Sequence, residues 1–434
     1  MTKHYLRNGI LLLLIIVLQL KSAELFSQVV ISGGSTVNGS YPSISNAVLA
    51  LNGATISGPV IVDVAAGHSE TAPVGGIILT ATGTSANPIT IQKSGAGANP
   101  IINAYVGVST PTTTATDGIF ILSGCDYVTI DAIDLLDGNI VSPLEMMECG
   151  YGLFKVDGTN GCQNNTIKNC TITLNNNSNA TWTVGHNGSC GIVMMNIAYA
   201  AKTALTVTAA TGSNSNNKFY TNTISKTNAG IVFIGFAAAT PFTLGDTGND
   251  VGGTSSATGN MVLNFGGATA ATTPATGIFA NNQWGVNISY NIVNNNTGTN
   301  INHVSTLRGI FMNSSSTSAS ADCNFNNITV KSGATSSQLS GIENGFGSTA
   351  AGNTININNN TVTGDYLTAT TGVFYGIYNN GASPTNLNIN NNTVTNFNYS
   401  SAALVGSGTN YLIYSTGAAP NANAISNTVS NSNQ

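Results

Sequence analysis

Acidic side chains crowd one stretch of this chain: Asp117, Asp126, Asp131, Asp134, Asp137, Glu145, Glu148 and Asp157 all fall between residues 117 and 157. Asp131, Asp134 and Asp137 follow an i, i+3, i+6 spacing around a turn. That is an oxygen-donor set suited to a hard cation, and Ca²⁺ is the one cofactor it points to. The competing reading is a solvated turn that carries Asp where later parts of the chain carry Asn. A base to work beside these carboxylates is harder to find. His68, His186 and His303 are scattered, and lone histidines are more often satisfied structural residues than catalysts. Lys155 and Lys168 stand in no recognisable motif, and Arg308 lies far along the chain. No catalytic residue is assigned. Aromatic side chains supply the remaining chemistry. Trp182, Trp284 and Tyr199, and with them Phe236, Phe242, Tyr290, Tyr378, Tyr399 and Tyr411, sit in or beside predicted loops, where rings stack on sugars.

Only 6% of the 434 residues are charged, while 41% are hydrophobic. A chain of that balance buries a core and is not disordered, since disorder pairs low hydrophobicity with high charge. Residues 1–27 read as a signal peptide: Lys3 and Arg7 precede an apolar run from Ile10 to Leu18, with Ser27 at the cleavage point. The run is too short to span a bilayer. Without Lys3, Arg7, Lys21 and Glu24, 8 basic residues face 15 acidic ones. Nucleic acid, which is held by Lys and Arg against phosphate, is excluded as a partner. The expected location is secreted or at the cell surface.

The elements that must position these residues come from a repeat. Gly followed by apolar residues recurs at Gly118, Gly152, Gly191, Gly230, Gly277, Gly309, Gly341 and Gly376, and Tyr411-Leu412-Ile413-Tyr414 is a copy without the glycine. Between them lies a second pattern, an apolar residue, an Asn-rich turn and another apolar residue five positions on. Examples are Ile167–Ile172, Phe219–Ile224, Ile288–Val293, Phe325–Val330, Ile357–Val362, Ile389–Val394 and Ala424–Val429. These short alternating segments are strands rather than helices. One coil per repeat stacks equivalent strands about 4.8 Å apart with Ile, Val and Phe inside. Asn222, Asn291, Asn360, Asn392 and Asn427 fall at one repeat position and predict a ladder of amides. The same register puts Cys125 over Cys162 and Cys149 near Cys190, giving Cys125–Cys162 and Cys149–Cys190 as predicted disulfides in an exported chain. Thr-x-Thr triplets such as Thr361-Val362-Thr363 predict rows of outward hydroxyls.

This repeat resembles the right-handed parallel β-helix proteins of the pectate-lyase-like superfamily, particularly exported bacterial ones. The resemblance covers residues 116–434, with 28–115 as N-terminal cap and first coils. The segment Tyr41–Leu51 resembles the short helix that plugs such solenoids, with Ile44, Ala47, Val48 and Leu51 as its buried stripe. The expected fold is therefore all-β, a right-handed parallel β-helix with a short N-terminal capping helix and no C-terminal cap, which would leave that end open to association. The resemblance implies carboxylate-bound Ca²⁺ and an Arg or Lys base for a lyase. Arg308 is about five coils from the acidic stretch, roughly 20–25 Å along the axis. The function expected from these residues is non-enzymatic adhesion or binding of a polysaccharide or surface glycan. The alternatives are a polysaccharide lyase or glycoside hydrolase on the same scaffold, and a structural stalk or passenger segment of a larger surface protein.

Overall fold

The computed structural model describes residues 28–108, 117–139, 142–178, 188–239, 241–269, 272–298, 301–313, 320–347, 352–399 and 408–430. The predicted signal peptide, Trp182 and His186 lie outside the described residues. The chain is an all-β, right-handed parallel solenoid of about 9 turns with very little helix. Each turn gives one strand to each of three long sheets, of 13, 11 and 11 strands. Sheet 1 includes Ile89–Ser94 and Thr166–Lys168, sheet 2 Thr171–Thr173 and Thr361–Tyr366, and sheet 3 Cys149–Lys155 and Phe374–Asn379. All pairings between successive coils within the three sheets are parallel, whereas Val29–Ser35 runs antiparallel to its neighbours at the N-terminal edge.

Alternation drives the winding. In each strand the inward residues, such as Ile130, Ile167, Phe219, Val262, Ile328 and Val362, enter one continuous core. The helix Ile44–Asn52 closes the first coil with Ile44, Ala47, Val48 and Leu51 buried, as its pattern predicts. Its Ser43 cap accepts the Asn46 N–H, and Glu70 takes the Ile44 and Ser45 N–H groups at 2.5 and 3.0 Å, a carboxylate at the positive end of the helix. Among the described residues no helix is long and apolar enough to cross a membrane.

The predicted register holds but for two slips of two residues and one of a single residue. Gly191, Gly230, Gly277, Gly309, Gly341 and Gly376 form one column, continued by Leu412. Gly150, not Gly152, is its preceding member, because Cys149 pairs with Cys190 and Gly152 with Val193. Gly118 pairs with Cys149 and so stands one place before the column. On the corner, Val293 pairs with Ile328, so Cys323–Ile328 replaces Phe325–Val330 as the repeat unit. A slip of two residues keeps every side chain on its own face, and alternation alone does not detect it.

The amide ladder runs between sheets 1 and 2 through seven residues: Asn222, Asn260, Asn291, Asn326, Asn360, Asn392 and Asn427. Each Nδ2 donates to the next Oδ1 at 3.0–3.1 Å. Each Oδ1 also accepts the backbone N–H of the preceding member. The left-handed backbone falls on the residue before the ladder asparagine in all these coils but that of Asn260, as at Thr221, Asn359 and Asn391. The predicted threonine rows of sheet 2 are broken where Thr223 is followed by Met261, Ile292 and Asn327 before Thr361.

Candidate functional site

Most residues singled out for chemistry turn out to serve the scaffold. Asp131, Asp134 and Asp137 do not converge. Asp131 pairs with Lys168 at 3.0 Å and accepts from Asn169. Asp134 accepts from Asn99 and the Thr171 N–H, and Asp137 accepts from the Asn139 and Met147 N–H groups. The spacing wraps them around a corner from sheet 1 to sheet 2, so each faces a different neighbour, and among the described residues no group of three metal-ligating side chains gathers. Lys155 is fully buried, donating to the Gly212 carbonyl at 2.5 Å and lying 3.4 Å from Asp246. His303 accepts two backbone N–H groups, and burial lowers its pKa to about 4.

The six cysteines are buried thiols outside any disulfide. Cys149 lies directly opposite Cys190. Cys125 and Cys162 occupy successive coils, next to the paired Asp126 and Gln163. Neither pair is bonded. In-register parallel strands hold equivalent Cβ atoms about 4.8 Å apart, whereas a disulfide needs about 3.8 Å, so vertical stacking alone does not close the bond. Burial pushes all four thiols up, Cys162 to about 12, which keeps them unreactive.

The outer face of sheet 3 is different. A Cβ on Gly309 would stand 2.5 Å from Ile328 Cγ2 and 2.6 Å from the Gly341 carbonyl oxygen, so only glycine fits at that place. The residue after each glycine points into the core, as Ile310, Ile342 and Ile377 do. The bend turns the residue before the glycine and the one two places after it outward. One outward column thus reads Val193, Val232, Phe279, Phe311, Glu343, Tyr378 and Tyr414. The other reads Cys190, Ala229, Thr276, Arg308, Ser340, Tyr375 and Tyr411. The early members make a second hydrophobic cluster, separate from the interior.

Toward the C-terminal coils that cluster gives way to polar and aromatic groups. Arg308 Nε donates to Glu343 Oε2 at 2.6 Å, and the guanidinium lies 4.2 Å over the Phe311 ring. Gln338 donates to the same oxygen at 2.7 Å, and Asn380 Nδ2 donates to Glu343 Oε1 at 2.9 Å. Asn380 Oδ1 in turn accepts the Tyr378 hydroxyl at 2.9 Å. The Glu343 side chain is 1% exposed, and this buried charge is matched by four donors, the Ser340 hydroxyl at 3.4 Å being the fourth. Beyond it lie four half-buried tyrosines in near-parallel stacks. Tyr375 and Tyr378 are 4.2 Å apart, Tyr411 and Tyr414 4.3 Å, and the pairs are 5.4 and 5.6 Å from one another. Burial, the neighbouring phenols and Glu343 together push the Tyr375 hydroxyl up.

A second titratable group stands just ahead of the sheet 3 strand Cys149–Lys155. Glu148 is buried, its Oε2 accepts the Asp117 N–H at 2.6 Å, and its Oε1 has no partner. Burial first, then the charges of Asp117 and Asp137, push its carboxyl up to about 8. Lys202, 3.3 Å over the Tyr199 ring, is brought down to about 8 by burial. Tyr199 also stacks on Phe154 at 5.4 Å, and Trp284 packs against Phe242 at 4.8 Å, so these nominated rings are committed to internal contacts.

No protein family matches the chain, and no curated protein matches it. Among solved structures it is similar to the native GH136 lacto-N-biosidase from Eubacterium ramulus. The identity is 12%, over 85% of this chain and 61% of that chain, with a TM-score of 0.43. The selenomethionine derivative of that protein gives 14% over the same shares and 0.37. The A-module of the Azotobacter vinelandii mannuronan C-5 epimerase AlgE6 gives 13% over 86% of this chain and 89% of that chain, with 0.32. The chain thus spans about three fifths of the lacto-N-biosidase. Such likeness concerns the coiled backbone and assigns no role to any residue.

Tyr378 and Tyr411 were among the expected sugar-stacking rings, but their assembly with Tyr375 and Tyr414 and the meeting of Arg308 with Glu343 escaped the sequence reading for one reason. Arg308 and Glu343 are 35 residues apart, and only a register correct to the residue, plus the bend at Gly341, shows that they meet.

Proposed function

We propose that this chain is an exported, non-enzymatic protein that binds a polysaccharide or surface glycan along the outer face of sheet 3. The observation that supports this reading is the set of Tyr375, Tyr378, Tyr411 and Tyr414, stacked and half-exposed beside the Arg308–Glu343–Asn380 network. Apolar ring surface takes the C–H face of a pyranose, and fixed amide, carboxylate and phenol groups take its hydroxyls. A face built from identical coils offers such groups at a regular step, which suits a polymer. Export through the predicted leader, and action at the cell surface, belong to the same proposal.

Glu148 favours a second reading, a glycoside hydrolase or lyase on this scaffold. A carboxyl held near 8 stays protonated at neutral pH and serves as a proton donor, and Asp117 stands beside it. A glycan array probed with the secreted protein, run beside reducing-sugar and unsaturated-product assays, separates the two. Binding without turnover, weakened about tenfold in a Tyr375→Ala/Tyr411→Ala variant, supports the binding reading. Turnover abolished by Glu148→Gln overturns it in favour of the enzyme.

A further inference from the structure

At the corner between sheets 1 and 2, the residue before the ladder position, which Cys170 fills ahead of Asn222, has a left-handed backbone in each of these coils except at Gly259, before Asn260. In most coils a small or polar residue accepts it: Asn169, Thr221, Asn359, Asn391 and Ser426 have φ between 56° and 59°. Two adjacent coils place bulky aromatics there instead, Tyr290 at φ 63° and Phe325 at φ 58°. A side chain of that size in this region costs about 1–2 kcal/mol relative to the ordinary conformations. The core does not recover that cost, since Phe325 is 47% exposed. The two rings lie face to face, 4.8 Å apart and within 5° of parallel, and stand out from the corner as a fin.

A cleft lies on each side of it. One, of about 420 Å³, is lined by Asp250, Asn287, Asp322 and Asn324 together with both rings. The other, of about 410 Å³, is shared by the rings with Thr221, Thr223, Met261 and Ile292. The polar cleft is preorganised: Asp250 accepts from the Tyr220 hydroxyl at 2.5 Å and from Asn287 at 2.7 Å, and Asp322 is exposed and accepts from Asn356 at 2.8 Å. Its described lining holds two carboxylates and no cation.

We infer that the Tyr290–Phe325 fin is a second glycan-binding site, independent of sheet 3, and that it takes a neutral hexose unit. The sugar stacks its C–H face on the fin and gives its hydroxyl protons to Asp250, Asp322 and Asn287. Uronates and sulfated sugars are repelled by the two carboxylates.

The strain makes the test sharp, because relieving it and removing the binding surface are the same substitution. Neutral hexaoses of glucose, mannose and galactose, with hexagalacturonate as charged control, are titrated calorimetrically. The protein carries Tyr375→Ala/Tyr411→Ala, so that sheet 3 does not contribute. At least one neutral hexaose binds. Phe325→Asn and Tyr290→Asn each weaken it about tenfold while the melting temperature holds or rises. Asp322→Asn weakens it without touching the fin. The inference is overturned if no neutral hexaose binds, if Phe325→Asn leaves affinity unchanged, if that variant melts earlier than its parent, or if hexagalacturonate binds as tightly.

Discussion

Val193 and Val232, toward the N-terminal end of sheet 3, occupy the same outward position of the same glycine bend as Tyr378 and Tyr414 near its C-terminal end. The valines are fully buried in a second apolar cluster; the tyrosines are half-exposed in a stack. One backbone device thus serves two purposes, and the side chain at each position follows what lies over it. Aliphatic groups stand where the face is covered and phenols with usable edges where it is open. Between them, Phe279 and Phe311 pack edge to face at 5.5 Å, and Arg308 with Glu343 marks the boundary.

The largest effect expected tests the frame that both regions share. Asn360 makes four ladder hydrogen bonds, through Nδ2 to Cys323 O and Asn392 and through Oδ1 from Asn326. Asn360→Ala strands their buried partners and costs about 3–5 kcal/mol, read by chemical denaturation. A loss under 1 kcal/mol would show that the ladder is ornamental. The next test separates the two regions: Phe279→Ala costs about 3–4 kcal/mol as a buried cavity, while Tyr378→Ala costs about 1 kcal/mol or less. Equal losses would erase the contrast between covered and open ends.

The smallest step is a pH dependence confined to the covered end. Glu148 has its folded pKa raised, so its contribution is full below the unfolded value and is lost as pH rises toward about 8. Lys202 has its folded pKa lowered to about 8, so stability recovers as pH climbs from there toward the ordinary lysine range. The sum is a minimum near pH 8, changing by at most about 1.4 kcal/mol per pH unit. Glu148→Gln removes the descending limb in a series of thermal melts and leaves the rise above 8. A flat wild-type profile would mean that the carboxyl titrates normally.

The capping helix was fully legible because amphipathic spacing marks the buried face of Ile44, Ala47, Val48 and Leu51 directly. The solenoid itself was legible because its column, until Leu412 ends it, repeats glycine where a Cβ would clash. What alternation left ambiguous was register to within two residues, which misplaced Gly152 and Phe325. Asn326 was missed with the second slip, and Asn260 because residues 252–258 lengthen the five-residue step from Phe219 to Ile224 into the longer one from Val251 to Val262. On sheet 3 the register was right at Gly309, Gly341 and Gly376, and what hid Arg308 and Glu343 was the break in alternation at each glycine, which decides the residues that turn outward. Asp131, Asp134 and Asp137 looked convergent only because sequence spacing does not show the corner that divides them.

In the asparagine column each amide hands its N–H to the following coil and presents its oxygen to the one before. Turning any one of the seven around would set NH₂ against NH₂ on one side and oxygen against oxygen on the other. The orientation is therefore a single collective choice, and the amide dipoles add head to tail, giving the spring an electrical direction along its axis that no net charge on the chain would reveal.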